Sequence, residues 1–333
     1  MNRLGVTANS DSGARRPSVP NDKNASGAPQ IMELVPMKRG LRSLLGRVVG
    51  ASPAPLPERP GLSRQLDQAI RLPVAGIYVR WDLQASVSTL EWDLKVLADP
   101  ASSVGIYLAL ADGRIDGSHF YLGLQTDIWD PGSVRGAGKG LIFSTWWTFD
   151  AGATRLAPEG FRELGTHEGR FVGVRRPYPW GVGDYRVTLV RSEPAAQLHV
   201  SADWFDLYIQ PTAPRGTGPG RPELVGNRTW IGGLAFPRRH TSMPALIGEA
   251  STAFMEVYSR ARRWRDIPRW DVDLIAYGDG QPCPRGAIEY PVFPFGNNRP
   301  MPNANARYDL ASGLVKLRYG DSTTRVDPAG RWP

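Results

Sequence analysis

At 333 residues, with 41% of them hydrophobic, the chain is long enough to bury a substantial core as one large domain or two small ones. Its formal charge of +8 is uneven, because residues 1–60 hold nine Lys/Arg against four Asp/Glu, leaving only +3 for everything after them. That balance argues against a nucleic-acid-binding face, the single Cys283 excludes an intramolecular disulfide, and no apolar run reaches the ~20 residues of a transmembrane helix.

Residues 1–30 are Asn, Ser, Gly, Pro and charge without periodicity, which predicts a disordered tail. From Met37 to Val49 the pattern turns helical, with Leu41, Leu44, Leu45, Val48 and Val49 opposite Lys38, Arg39, Arg42 and Arg47. Three readings stand for it: a short docking or fraying helix, a basic amphipathic segment in weak contact with a membrane surface, or a degenerate export signal if translation starts at Met37. Localisation therefore stays open between cytoplasm and export. Ser52 to Gly61 is a Pro-rich linker, so residues 1–61 are expected to stand apart from the fold.

A β-domain is predicted over 62–265, with at most a two-turn helix at Leu62 to Ile70 before the first strand near Val74. Gly76 to Leu83, Thr89 to Ala98 and Gly105 to Ala111 alternate as strands, and Ala111 to Ser118 carries hairpin-turn residues. His119 to Trp129, Gly140 to Phe149 and Asp184 to Arg191 follow as the central strands, the last entered through the turn Arg176 to Gly183. In the first, Phe120, Leu122, Leu124 and Ile128 oppose Tyr121, Gly123, Gln125 and Asp127. In the second, Leu141, Phe143, Trp147 and Phe149 oppose Ser144, Trp146 and Thr148. Leu198 to Gln210 reads as one strand with a bulge, Pro211 to Pro222 as a flexible excursion and Trp230 to Pro237 as another strand. Ser251 to Trp264 fits strand or helix. Asp271 to Tyr277 and Gly313 to Tyr319 look like strands around a long Pro/Asn loop, so residues 266–333 are expected to form a β/loop extension packed on the domain. With 37 Gly and 30 Pro besides, the expectation is an all-β, antiparallel β-sandwich.

Several of these segments carry a family resemblance. YLGLQ at Tyr121 to Gln125, FSTW at Phe143 to Trp146, YPW at Tyr178 to Trp180, WIGGLAFP at Trp230 to Pro237 and FMEVY at Phe254 to Tyr258 resemble the domain of unknown function 3472 family over roughly Val74 to Tyr258. The resemblance implies a concanavalin-like or jelly-roll-like sandwich, often exported, that meets carbohydrate. It brings no established activity and no catalytic residues.

The chemistry-bearing patterns are mostly negative. Val134 to Phe143 lacks the first glycine and the Ser/Thr of a phosphate loop, and a strand follows Lys139 instead of a helix. His119, His167, His199 and His240 have no zinc-type spacing, so no metal and no cofactor is expected; calcium alone stays open, through Asp127, Asp130 and Asp150. Glu91-Trp92-Asp93 begins like a glycosidase E-x-D-x-x-E strand, but Lys95 and Val96 follow.

What remains is a polar-aromatic face. Tyr121, Gln125, Ser144 and Trp146 fall opposite the core positions of two strands, Trp204, Asp206 and Tyr208 opposite those of a third, and Glu256 and Tyr258 join them if Phe254 to Tyr258 is a strand. Trp180 of the YPW turn completes the set. Rings beside amides and carboxylates suit sugars, since the ring covers the C–H face and the polar groups take hydroxyls. If all these strands share one sheet, the residues share one groove. A non-catalytic carbohydrate-binding or cell-envelope recognition module is the first reading. A glycan hydrolase using Asp206 and Glu256 is the second, and a structural or partner-binding protein the third.

Overall fold

A computed structural model of the chain describes residues 66–100, 103–129, 136–166, 169–196, 198, 200–216, 220–290, 301–309, 314–321, 323 and 330–332. The tail at 1–61, with its amphipathic segment and linker, lies outside the described residues. Among those described, the strands in chain order are β1 (Val74–Asp82), β2 (Thr89–Ala98), β3 (Gly105–Ile115), β4 (Ser118–Gln125), β5 (Gly140–Thr145) and β6 (Thr154–Leu156). Next come β7 (Phe161–Gly165), β8 (Phe171–Pro177), β9 (Gly183–Pro194), β10 (Ala202–Pro211), β11 (Thr229–Pro237) and β12 (Ile247–Ser259). The last six are β13 (Trp270–Gly278), β14 (Gln281–Pro282), β15 (Arg285–Tyr290), β16 (Ala304–Asp309), β17 (Leu314–Tyr319) and β18 (Gly330–Trp332). No helix among the described residues is long and apolar enough to cross a membrane.

These strands make an all-β sandwich of two antiparallel sheets. The first runs β18-β15-β1-β12-β3-β4-β5-β8-β7, and the second β16-β17-β13-β2-β9-β10-β11-β6, with β14 paired to β13. Alternation explains the layers, because successive strand residues point to opposite faces. Ile77, Val79 and Trp81 of β1, Phe120, Leu122 and Leu124 of β4, and Leu141 and Phe143 of β5 enter the inter-sheet core. There they meet Leu90 and Trp92 of β2, Phe205 and Leu207 of β10, and Val272 and Leu274 of β13. The Ala111 to Ser118 turn residues close the β3–β4 hairpin. Asp116 (φ 46°) and Gly117 (φ 87°) both take the left-handed conformation that a two-residue hairpin turn requires.

One open choice is resolved and three expectations need correction. The segment Ser251 to Trp264, left between strand and helix, is strand as far as Ser259. β5 stops at Thr145, so Trp146 to Asp150 lie beyond the ladder and alternation no longer assigns their faces. The long Pro/Asn loop expected over Gly278 to Asn305 contains β14 and β15, and β16 begins at its end. Finally, residues after 266 do not pack on a finished sandwich. β13 lies inside the second sheet between β17 and β2, and β15 pairs directly with β1 in the first.

Candidate functional site

The predicted site residues fall into three places. Tyr121 and Gln125 on β4, Ser144 on β5 and Glu256 and Tyr258 on β12 share the outer face of the first sheet, with Trp146 just past β5. Trp204, Asp206 and Tyr208 lie on β10, on the outer face of the second sheet. Trp180 is in neither place. It is 1% exposed, belongs to the inter-sheet core and stacks on Trp270 at 5.0 Å and 9°. The single groove expected for all of them therefore does not form. Asp206 and Glu256, the proposed hydrolytic carboxylates, stand on opposite outer faces with the core between them, so they cannot act on one bond.

On the second sheet the carboxylates are engaged by arginines. Asp206 accepts hydrogen bonds from Arg155 (2.7 Å) and from the Trp230 indole (3.1 Å), while the Arg155 guanidinium lies 4.5 Å from the Trp204 ring. Trp204 is 1% exposed, so it packs instead of presenting a platform. Asp93 binds Arg186 at 2.5 Å, Glu91 binds Arg221 at 2.7 Å, and Arg228 covers Tyr208 at 3.7 Å. A cavity of about 150 Å³ beside Tyr208 is bordered by Glu91, Arg186, Gln210 and Arg228. Arginine pairing and packing account for Trp204 and Asp206 without a ligand, although Arg155 Nε, like several atoms of the first sheet, is buried without a hydrogen-bond partner.

The first sheet's outer face differs. Strand register sets three cross-strand rows on it. One runs Glu289, Tyr78, Phe254, Ala109, Gly123, Ile142, Arg175, Phe161. The next holds Glu256, Tyr107 and Gln125, and the third Thr252, Asp112, Tyr121, Ser144, Gly173 and Glu163. Small residues at Ala109 and Gly123 leave room beside them for the Tyr107 and Tyr121 rings. A Cβ on Gly123 would stand 2.0 Å from the Leu108 carbonyl oxygen, so the position must be glycine. The rings then touch in sequence: Tyr78–Phe254 at 5.5 Å, Phe254–Tyr107 at 5.6 Å, Tyr107–Tyr121 at 5.6 Å and Tyr121–Trp146 at 4.6 Å. His119 stacks on Trp146 at 4.8 Å and binds Asp112 at 2.5 Å.

Polar groups flank this aromatic stripe. Arg175, 8% exposed, pairs with the buried Glu163 and donates to the Gln125 amide oxygen at 3.3 Å. Beneath the rings, Tyr107 Oη, Ser144 Oγ and Arg175 Nε are buried without a hydrogen-bond partner. Such orphaned atoms are uncommon and cost about 1–3 kcal/mol each. Tyr258 donates to the Asp127 carbonyl at 2.6 Å, and Asp127 also pairs with Arg260. Of the calcium candidates, Asp127 is thus held by a cation, Asp150 caps the 3-10 turn at Ala151–Ala153, and Asp130 lies outside the described residues, as do His167 and His199. No group of three or more His, Cys, Asp or Glu among the described residues is placed to hold a metal ion.

Burial pushes the phenols of this face upward. Tyr78 rises from 10.0 to about 12, first through burial and then through the carboxylates of Glu256, Asp112 and Glu289. Tyr107 rises well above 10.0, again mainly by burial, with Tyr121 next and Arg175 opposing. Because these protons are held more tightly folded than unfolded, the folded state binds more protons above pH ~10 and stability falls there as pH rises. The contribution is complete below the unfolded value and is lost as pH climbs toward the folded one. Urea unfolding between about pH 9 and about pH 11 should show the decline, with a shallower slope for Tyr78→Phe. Equal slopes would mean that Tyr78 titrates normally.

Sequence reasoning missed Tyr78, Tyr107, Phe254, Glu163 and Arg175. Tyr78, Tyr107 and Phe254 sit at outward positions of segments read as strands or possible strands, so their parity was available. Glu163 and Arg175 were not, because β7 and β8 were not read as strands. No family model matches the chain, and no curated protein matches it.

Proposed function

We propose that this protein is a non-catalytic carbohydrate-recognition module that binds through the outer face of its first sheet. The observation that carries the reading is the continuous aromatic stripe from Tyr78 to Trp146, flanked by Gln125, Arg175 and Glu163. The partly exposed rings of Tyr78, Phe254, Tyr121 and Trp146 offer apolar surface to sugar C–H faces, and the Asp112–His119 pair beside Trp146 can take hydroxyls. The buried Tyr107, Gln125, Arg175 and Glu163 hold the rings in place from below. The resemblance to the domain of unknown function 3472 family agrees with this and is part of the proposal. Hydrolysis ranks below binding because the two carboxylates first named for it are held apart.

The test is a glycan screen followed by calorimetry on the protein and on Trp146→Ala. The variant should lose tenfold or more in affinity, about 1.4 kcal/mol, while melting within a few degrees of the parent. No reducing ends should be released from any bound glycan. If the parent protein binds no glycan, or Trp146→Ala binds as well as the parent, the reading is wrong.

A further inference from the structure

We infer that the first sheet's outer face takes an extended oligosaccharide laid across the strands, not a single sugar; this rests on the saccharide reading above. The geometry of the stripe carries the inference. Tyr78, Phe254, Tyr107 and Tyr121 belong to β1, β12, β3 and β4, four successive neighbours in the sheet, and Trp146 follows directly on β5, the fifth. Each strand thus contributes one ring, of which Tyr107 in the middle is buried and the other four are partly exposed. Neighbouring strands lie about 4.8 Å apart, so the stripe is about 19 Å long from first strand to fifth.

Register and side-chain reach together set its course. Tyr78 lies directly opposite Phe254, whereas Tyr107 (opposite Glu256) and Tyr121 (opposite Asp112 and Ser144) stand in the rows on either side of the Ala109–Gly123 pair. The rings therefore cross the strands obliquely and meet by leaning over those two small residues. One hexose covers one or two of these rings. A chain of several rests on the partly exposed Tyr78, Phe254, Tyr121 and Trp146, with Tyr107 buried between them, and meets the Asp112–His119 pair beside Trp146. A single sugar cannot touch both Tyr78 and Trp146. Binding contributions along a chain accumulate, so affinity should climb with length until the stripe is covered.

Calorimetry on the full chain with glucose, N-acetylglucosamine and their β-linked oligomers of two to six units tests this directly. Affinity should rise at least tenfold from one unit to four and then level off. Tyr78→Ala and Trp146→Ala, at the two ends, should each flatten that rise, whereas Tyr78→Phe, which keeps the ring, should preserve it. Tyr208→Ala on the opposite sheet should leave it unchanged, and melting curves for all four variants separate lost binding from lost fold. If one unit binds as tightly as six, the extended site is refuted while saccharide recognition stands. If no length of any oligomer binds, both fall together.

Discussion

Trp180→Ala is expected to cost about 3–5 kcal/mol of stability, as large-to-small changes at fully buried aromatic sites do. Trp180 is 1% exposed and sits in the connection that carries the chain from β8 in the first sheet to β9 in the second. Its ring stacks on Trp270 at the start of β13, its indole N–H donates to the Gly140 carbonyl at 3.3 Å, and Lys139 approaches its face at 4.5 Å. Alanine would leave a cavity between two sheets whose strands are fixed by their ladders and cannot close over it. Urea unfolding should show a lower midpoint with an unchanged slope. Val182→Ala, two residues on and 67% exposed, is the control and should change stability by less than about 0.5 kcal/mol. A Trp180→Ala loss below that of the control would place this side chain outside the core.

Glu163→Ala is expected to be comparably damaging for an electrostatic reason. Glu163 and Arg175 have side chains 5% and 9% exposed, and they pair with each other. Removing the carboxylate leaves a buried guanidinium with the neutral Gln125 amide as its side-chain acceptor, and stranding one partner of a buried pair costs about 3–5 kcal/mol. Arg175→Met alone should hurt by a similar amount. The double substitution should recover much of the loss, because no charge then remains buried. Purely additive losses in that cycle would show that the two side chains do not act as a pair.

The sandwich was legible because alternation assigns each side chain to one face of its own strand. Phe120, Leu122 and Leu124 against Tyr121 and Gln125, and Leu141 and Phe143 against Ser144, are read directly from spacing and are found that way. Spacing does not say which sheet a strand joins. Tyr208 and Tyr121 both face outward, but from β10 and β4 they face away from each other. A groove assembled from parity alone therefore merged two surfaces. Trp180 was misplaced for a related reason: a turn has no period, so nothing in PYPWGVG distinguishes a ring that enters the core from one that stands in solvent. β7 inverts the usual signal. Phe161 lies opposite Arg175 and Glu163 opposite Gly173 on the outer face, while Arg162 and Leu164 point the other way, so a hydrophobic-inside reading of this edge strand fails.

The placement of β13 and β15 bears on how the chain reaches its fold. β13 joins β2 from about 180 residues later in the chain, and β15 reaches β1 across about 210. Until both arrive, β1 and β2 present unpaired backbone along their lengths, which is a template for association with other chains. Contacts this distant in sequence also slow folding, since the intervening chain must be ordered before they form. A ribosome-bound nascent chain lacking residues 270–290 would hold two raw sheet edges at once. During synthesis, then, the interval before those strands emerge is when this protein is most exposed to aggregation and most dependent on chaperones.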